Sequence, residues 1–456
     1  MKKILLILTF VIAFFLAQVH SQVTLESTTL DTTTLITGLD IPWEIQYGPD
    51  GWLWVTERHG RVSRIHPETG EQIIILDHTG AVHQQGESGM LGMALHTDFE
   101  EVPRVYLVYT YQEGGIKERL VYFDYQNNSL INETILIDGI PGNTTHDGSR
   151  LVITPDGKLL MTTGDAQNLS APQNVNSLNG KILRINLDGT IPQDNPFGGD
   201  NYVYTFGHRN AQGLDYGPDG ILYSSEHGPS TDDEVNIIEE GRNYGWPEVL
   251  GFCDTPAEQD FCEEHNVKEP ISAWTPTIAP SDLIYYNYDA IPEWKHTILL
   301  TVLKDKRVVE LELSPDGKEI TAEKQWFVGY WGRLRDVCAS PEGELFLATN
   351  GQSWSNNDPF THSIIKLVPQ GTSTGNADKP PKSMIRIVHD APGIVSIDFS
   401  QELMGEGYAI FNPAGVLIGD GKVGGKLDVS NLSPGVYLVN VKQTGHERVT
   451  RKFVVR

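Results

Sequence analysis

The 456-residue chain has few cysteines, and their spacing gives no support for a zinc site. None of the three belongs to a CxxC pair or to a Cys/His pattern typical of zinc. Cys253 and Cys262 lie close together in an acidic, loop-like stretch and could pair in an oxidising compartment. Cys338 lies in an apolar, strand-like run, so we expect a buried thiol there.

Basic residues are also scarce. The chain has 34 Lys and Arg residues against 60 Asp and Glu residues, which gives a formal net charge of −26. This charge disfavours nucleic acid and anionic membranes as partners, because both are polyanions. It suits a solvated, secreted protein and tolerates bound Ca²⁺.

Long apolar runs are absent except near the start. Residues 4–17 are apolar, follow two lysines and end in small and polar residues near Ser21. About 20 apolar residues are needed to cross a bilayer, so this run predicts a signal peptide over residues 1–21 rather than a membrane span. We therefore expect an exported protein that does not span the membrane.

A turn motif recurs along the chain and indicates the fold class. Gly, Ser or Thr, then Pro, an acidic residue and Gly, occurs before apolar strand-like segments at 48–51, 154–157, 217–220, 314–317 and 340–343. Proline presets the first turn position and glycine supplies a positive φ, so each copy predicts a hairpin. A second recurring segment, at 60–65, 180–185 and 362–367, predicts another strand of each unit.

These repeats predict an all-β chain. Helical periodicity is scarce, and four-stranded units of irregular length favour a six-bladed β-propeller over residues 30–368, with an array of β-sandwiches as the alternative. In a propeller, loops distant in sequence meet at one end of a central channel. Scattered polar motifs can therefore form one site.

A polar Gly/Ser/Thr/Pro linker at 369–382 precedes a separate module at 383–456. Alternating strands such as 394–399 and 436–441 predict a small β-sandwich. The segment LSPGVY (432–437) and the ending KFVVR resemble the C-terminal sorting domain of the type IX secretion pathway, which implies the type IX secretion machinery as a partner and a secreted or cell-surface location. A carbohydrate-binding module is the alternative.

His146 is the first candidate for catalysis. It lies on a Gly-rich, irregular segment before a strand-turn-strand unit that ends near Asp165. A histidine held by a rigid scaffold and open to substrate is a suitable general base. A solvated loop histidine is the alternative reading of this residue alone.

Several ordered motifs resemble the soluble PQQ-dependent glucose and aldose sugar dehydrogenases. They are FGHRNAQGL (206–214), SEHGPSTDDEVN (225–236), NYGWP (243–247), WTPTIAPS (274–281) and RLRDV (333–337). The resemblance spans nearly the whole propeller. It implies oxidation of an aldose at C1 to a lactone, with pyrroloquinoline quinone (PQQ) and Ca²⁺ as cofactors and an external electron acceptor.

The resemblance assigns the cofactor contacts to seven residues: Glu87, Arg209, Asn210, Thr277, Lys304, Arg333 and Arg335. PQQ carries three carboxylates and an ortho-quinone, so it needs fixed cations and donors aimed at the reducible carbonyl. Arg333 and Arg335, two residues apart, would project to one face of a strand and offer planar forks for carboxylates. A surface pair on an outward face is the alternative.

The resemblance also places two calcium sites. Gly228 and Pro229 match positions whose carbonyls hold the PQQ-bound ion, and Asp233, Glu234 and Tyr244 resemble positions around a second, structural ion. Ca²⁺ prefers about six to eight oxygen ligands, many of them carbonyls. An ordinary solvated acidic loop is the alternative for residues 232–234, and neither site matches an EF-hand.

The mechanism implied by the resemblance uses His146, Asp165 and Arg209. His146 takes the proton of the C1 hydroxyl while hydride passes to the quinone, Asp165 orients the imidazole, and Arg209 and calcium draw charge onto the quinone oxygen. Two residues depart from the family pattern: Glu87 stands where glutamine is usual, and Thr145 stands where an acidic residue is commoner. Glu87 could therefore shift sugar preference or the pKa values of the site.

Two other functions remain open at this point. Propellers of this type also occur as non-enzymatic extracellular binding proteins, which lack the histidine or the cofactor cations. A calcium-dependent, lactonase-like hydrolase would instead need a ring of side-chain carboxylates and amides around a metal ion in the channel. The combination of His146, Arg209, Lys304, Arg333 and Arg335 favours the dehydrogenase.

Overall fold

The computed structural model describes residues 20–352, 361–370, 385–391, 394–399, 404–412, 417–433, 435–442 and 448–455. It divides into two compact units, residues 1–372 and 373–456. Most of the predicted signal peptide and linker lies outside the described residues. No helix in the described ranges is long and apolar enough to cross a membrane.

The first unit contains six antiparallel sheets. Blade 1 consists of β3 (Pro42–Tyr47), β4 (Leu53–Glu57), β5 (Arg61–Ile65) and β6 (Gln72–Asp77). Blade 2 consists of β7 (Met90–Leu95), β8 (Arg104–Gln112), β9 (Ile116–Gln126) and β10 (Ser129–Pro141). Blade 3 consists of β11 (Leu151–Ile153), β12 (Lys158–Thr163), β13 (Lys181–Asn186) and β14 (Val203–Phe206).

The next two blades have the same four-stranded order. Blade 4 consists of β15 (Ala211–Tyr216), β16 (Leu222–Glu226), β17 (Asp233–Ile238) and β18 (Ser272–Trp274). Blade 5 consists of β19 (Pro280–Tyr286), β20 (Thr297–Val302), β21 (Arg307–Leu313) and β22 (Ile320–Trp326). Short 3₁₀ turns occur at Pro218–Gly220 and Pro292–Trp294.

Blade 6 is built from both ends of the propeller sequence. It consists of β23 (Leu334–Ala339), β24 (Leu345–Thr349), β25 (His362–Pro369), β2 (Thr29–Leu39) and β1 (His20–Thr24). β2 pairs antiparallel with β25, with Leu30 opposite Pro369 and Leu39 opposite His362. The first strands of the blades, β3, β7, β11, β15, β19 and β23, contact one another in a closed ring, which confirms the six-bladed propeller.

The predicted turn motif accounts for the hairpins. All five copies connect paired strands, and their glycines, among them Gly51 and Gly157, have φ values between 71° and 86°. A side chain with a Cβ is strained at such a φ, so the motif's glycine is required there. The second recurring segment forms β5, β13 and β25, as predicted.

The acidic stretch around Cys253 differs from the sequence prediction. The loop-like expectation was wrong, because Pro256–His265 forms α1, the one α-helix in the described residues. Thr255 and Glu258 form a reciprocal capping box at its start, which satisfies free backbone N–H groups. Cys253, which precedes α1, and Cys262, which lies within it, form a disulfide. Cys338 is a buried free thiol, as expected.

The second unit contains two sheets. One consists of β26 (Ile385–Ala391), β27 (Ile394–Phe399) and β30 (Lys426–Asp428). The other consists of β28 (Gly407–Phe411), β29 (Leu417–Lys422), β31 (Gly435–Lys442) and β32 (Arg448–Val455). Buried residues of both sheets, such as Ile397 and Val439, share one apolar core, so the unit is the predicted small β-sandwich.

Candidate active site

The residues that precede the inner strands meet at one end of the ring. Glu87 precedes β7, His146 precedes β11, Arg209 and Asn210 precede β15, Thr277 precedes β19, and Arg333 precedes β23. Hydrogen bonds join these segments: Glu87 Oε2 accepts from the His146 backbone N–H at 3.0 Å, and Asn210 Oδ1 accepts from Gly148 N at 3.1 Å. The fold thus brings together motifs that are far apart in sequence.

His146 and Asp165 form a tight pair. His146 Nδ1 lies 2.7 Å from Asp165 Oδ1, and the other carboxylate oxygen accepts from Trp246 Nε1 at 2.9 Å. Burial alone would raise the pKa of Asp165, but its hydrogen bonds and the charge of His146 hold that pKa below the ordinary value. An ionised carboxylate accepts, so Nδ1 carries the proton and Nε2 is left as the basic atom.

The backbone of His146 is fixed on two sides. Its φ is 65°, and its carbonyl accepts from Ala166 N at 3.1 Å. Gly164 lies against that carbonyl so closely that a Cβ there would be 1.9 Å from the oxygen. Together with the bond from His146 N–H to Glu87, these contacts hold the imidazole in one position.

Arg209 and Asn210 are held by a neighbouring carboxylate. Glu226 accepts hydrogen bonds from the backbone N–H groups of both residues, and it also pairs with His208 Nδ1 at 2.9 Å. Arg209 Nη1 donates to the His227 carbonyl at 3.0 Å. Arg209 Nε and Asn210 Nδ2 are buried and have no hydrogen-bond partner among the described residues, so both are donors left for a ligand.

Arg335 lies inside β23, whereas Arg333 immediately precedes that strand. Arg335 is buried and donates to Gln212 Oε1 at 2.9 Å, and burial lowers its pKa to about 9. The charge of Glu87 opposes this lowering for Arg335 and also for Arg333. The pKa values of both arginines therefore respond to the charge of the same carboxylate.

Lys304 and Thr277 form a contact on the exposed rim. Lys304 Nζ donates to Thr277 Oγ1 at 2.8 Å, and Lys304 N donates to the Ile278 carbonyl at 3.1 Å. The structure therefore brings two of the predicted cofactor residues into direct contact. Burial raises the pKa of Asp233, and the backbone hydrogen bonds of Ala279, Gly228 and Ile278 and then the charge of Lys304 only reduce this rise.

Asp233 braces the turn that carries Gly228 and Pro229. Its Oδ1 accepts from Gly228 N at 2.8 Å, and its Oδ2 accepts from Ile278 N and Ala279 N, each at 2.6 Å. Gly228 is required there, because a Cβ would lie 2.0 Å from the Thr231 carbonyl. The carboxylate thus ties this turn to the start of β19.

Glu226 and Glu234 line one small pocket, which Tyr244 and the segment 227–229 also line. Burial, and then the charge of Glu226, raise the pKa of Glu234 to about 8. The Tyr244 hydroxyl already donates to the Ile237 carbonyl at 2.8 Å. In the described ranges, no group of three or more His, Cys, Asp or Glu side chains could hold a metal, so a calcium ion here would need main-chain oxygens in addition to the carboxylates of Glu226 and Glu234.

Arg150 connects the first strands of four other blades. Its guanidinium contacts Glu44 at 2.5 Å, Asp336 at 2.9 Å and Asp282 at 3.3 Å, and its Nε donates to the Gln212 carbonyl at 2.8 Å. These partners come from four different blades. The carboxylates of Glu44, Asp282 and Asp336 are thus engaged by a cation of the chain itself.

Sequence reasoning missed several residues of the site. Trp246 lies in a motif that was identified, but its indole bond to Asp165 is visible only in the fold. His227 Nε2 donates to the Pro280 carbonyl at 2.8 Å, which requires the tautomer with the proton on Nε2. Arg58, which directly follows β4, is buried beside Glu87, and no spacing in the sequence points to it.

A closed propeller with a His–Asp pair and several arginines at one end of its ring has the architecture of an enzyme. The family model described as Glucose / Sorbosone dehydrogenase matches residues 39–355. The chain belongs to this family. A second model, described as a secretion system C-terminal sorting domain, matches residues 391–456.

Similar proteins cover most of the propeller. The chain is 30% identical to quinoprotein glucose dehydrogenase B of Acinetobacter calcoaceticus, with 70% of this chain and 85% of that protein covered. It is 29% identical to an aldose sugar dehydrogenase of Escherichia coli (strain K12), with coverage of 71% and 91%. The PQQ-bound aldose sugar dehydrogenase of Streptomyces coelicolor is 30% identical and superposes with a TM-score of 0.63 over 75% of this chain and 98% of that one.

Proposed function

We propose that the protein is a secreted quinoprotein sugar dehydrogenase, which oxidises an aldose at C1 to the lactone with PQQ and Ca²⁺ and passes electrons to an external acceptor. The observation that carries this proposal is the His146–Asp165 pair beside a cluster of arginines with buried, unpartnered donors among the described residues. The family membership and the quinoprotein relatives support it.

The residues present fit PQQ. Arg209 Nε and Asn210 Nδ2 are buried donors without partners in the described part of the chain, and the charge of Glu87 acts on both Arg333 and Arg335. Such a surplus of cations suits a tricarboxylate, and Lys304 and Thr277 would extend the same site at its rim. When bound, PQQ would supply a quinone that accepts hydride from the sugar.

The proposed role of His146 is to remove the proton of the C1 hydroxyl. Its Nε2 is the basic atom because Asp165 holds Nδ1–H, and Asp165 would stabilise the imidazolium that forms. Arg209 would stabilise negative charge beside the reacting centre, since burial keeps its guanidinium poorly solvated and its Nε lacks a partner among the described residues. Glu87 would fix the His146 backbone.

The residues also fit calcium, though with few side-chain ligands. The turn at Gly228 and Pro229 exposes main-chain oxygens next to the site, with Asp233 bracing it. A second ion between Glu234 and Glu226 would relieve the repulsion that, after burial, raises the pKa of Glu234. Tyr244 would take part through its carbonyl, since its hydroxyl is engaged by the backbone.

Export is the second part of the proposal. The sorting-domain match at residues 391–456 supports secretion or surface display through the type IX machinery, with the propeller at 30–368 as cargo and residues 369–382 as the linker. The predicted signal peptide would direct the first transport step. Proteinase accessibility of the protein on intact host cells tests this location.

The deciding experiment is dye-linked oxidation of a panel of aldoses by the purified protein, with and without PQQ and with Ca²⁺ or EDTA. We expect activity that requires both cofactors and a lactone product. His146→Ala should abolish turnover, whereas His265→Ala, on the exposed helix α1, should not. A protein that neither oxidises any aldose nor binds PQQ would refute the proposal and favour a binding or hydrolytic propeller.

A further inference from the structure

Arg58 is a buried arginine whose charge has little direct compensation. Its side chain is 2% exposed, and neither Nε nor Nη2 has a hydrogen-bond partner among the described residues. Burying an unpaired guanidinium is strongly unfavourable unless an anion or a hydrogen-bond acceptor meets it. Ordinary core packing therefore does not explain this residue.

Arg58 lies at the same end of the ring as His146. Its N–H donates to the Ile41 carbonyl at 3.0 Å, directly before β3, and its carbonyl accepts from Met90 N at 2.9 Å, at the start of β7. The loop that carries Glu87 packs against it. Gly89 has a φ of 148°, and a Cβ there would lie 2.5 Å from Arg58 Cγ.

The electrostatics place Arg58 within the arginine cluster. Burial lowers its pKa to about 10, Glu87 and Asp40 oppose this, and Arg333 lowers it further. The charges of Arg333 and Arg58 likewise lower the pKa of Arg335. Three guanidinium groups thus repel one another around Glu87, an arrangement that a bound polyanion would stabilise.

We propose that Arg58 is an additional carboxylate-binding residue of the cofactor site, which acts beside Arg333 and Arg335 on one carboxylate of PQQ. This inference rests on the proposed function, because it needs PQQ as the ligand. A guanidinium fork suits a planar carboxylate, and its binding strength should depend on the charge of that carboxylate. Neutralising the ligand should therefore remove the contribution of Arg58.

The test is equilibrium binding of PQQ and of its uncharged trimethyl ester to the apoprotein, followed by tryptophan fluorescence. For Arg58→Met we expect at least a tenfold rise in the Kd for PQQ and less than a twofold change for the ester. Arg58→Lys keeps the positive charge on a shorter group, so its Kd for PQQ should lie between those of the wild-type protein and Arg58→Met. Arg184→Met removes a guanidinium that pairs with Asp156 and Asp194 outside the site, and it should leave both affinities unchanged.

The outcomes separate the two proposals. If the wild-type protein binds PQQ but Arg58→Met binds it equally well, or weakens PQQ and the ester to the same degree, Arg58 is not a carboxylate ligand. If the wild-type protein fails to bind PQQ, the proposed function itself fails. Circular dichroism of each apoprotein confirms folding, and Arg58→Lys keeps the test decisive if Arg58→Met does not fold.

Discussion

Replacing Asp165 by asparagine tests the organisation of the base most directly. Each carboxylate oxygen accepts from a different donor: Oδ1 from His146 Nδ1 and Gln167 N, and Oδ2 from Trp246 Nε1. An amide has one oxygen and one NH₂ group, so the substituted side chain would set its NH₂ against either the indole N–H or the imidazole. In the second case the imidazole would carry its proton on Nε2 and lose its basic atom.

The expected loss follows from the bonds involved. A hydrogen bond to a charged group contributes about 1.5–3 kcal/mol, which corresponds to about a 10- to 150-fold lower kcat if it acts mainly in the transition state. KM for the sugar and the affinity for PQQ should change little, because Asp165 is buried behind His146. Steady-state oxidation of one aldose by PQQ-loaded enzyme measures both parameters.

The control for this prediction is Trp246→Phe, which removes the donor to Oδ2 and leaves the carboxylate charge in place. We expect a smaller decrease in kcat than for Asp165→Asn. A kcat for Asp165→Asn within twofold of the wild-type value, while His146→Ala is inactive, would show that Asp165 does not orient or polarise the base.

Three further predictions concern stability. Arg150→Met should lower the free energy of unfolding by about 3–5 kcal/mol by leaving three buried carboxyl groups without their cation, and an unchanged denaturant midpoint would contradict this. The pKa of Glu234 is about 8 when folded against an ordinary 4.5, so the apoprotein in EDTA should lose stability as the pH rises from about 5 to about 8, and Glu234→Gln should flatten that loss in thermal melts. Replacing Cys253 and Cys262 together by Ser should cost about 2.5 kcal/mol in thermal or denaturant unfolding, and no change would show that the crosslink does not constrain the unfolded chain.

The blades could be predicted from the sequence because each hairpin carries its own local code. A proline followed by an acidic residue and a glycine with positive φ specifies a turn without help from the rest of the fold. Helix α1 was missed for the opposite reason: it is short, exposed and polar, so its capping box rather than apolar periodicity defines it.

The site was predictable only in part. His146 and Asp165 were recognisable because motifs surround them, and the structure joins them at 2.7 Å. No motif marked Arg58 or Arg150, because the role of each arginine depends on charged residues distant in sequence that the fold brings close to it. Long-range charge pairing leaves no period in a sequence, whereas strands and turns do.

The pairing of β2 with β25 also sets the order in which the propeller can be completed. Residues 30–39 of β2 cannot pair until residues 362–369 of β25 have been synthesised. In a chain made from its N-terminus, the strands of the other five blades are therefore complete before blade 6 can form. A loop about ten times as long as another costs only about 2 kcal/mol more to close. The late pairing of β2 with β25 should therefore affect the rate of folding more than the final stability. Until residue 369 has been made, β2 and β24 each lack the strand β25 that pairs with both in the finished blade, and a chain that stops before residue 361 should keep those two edges unpaired.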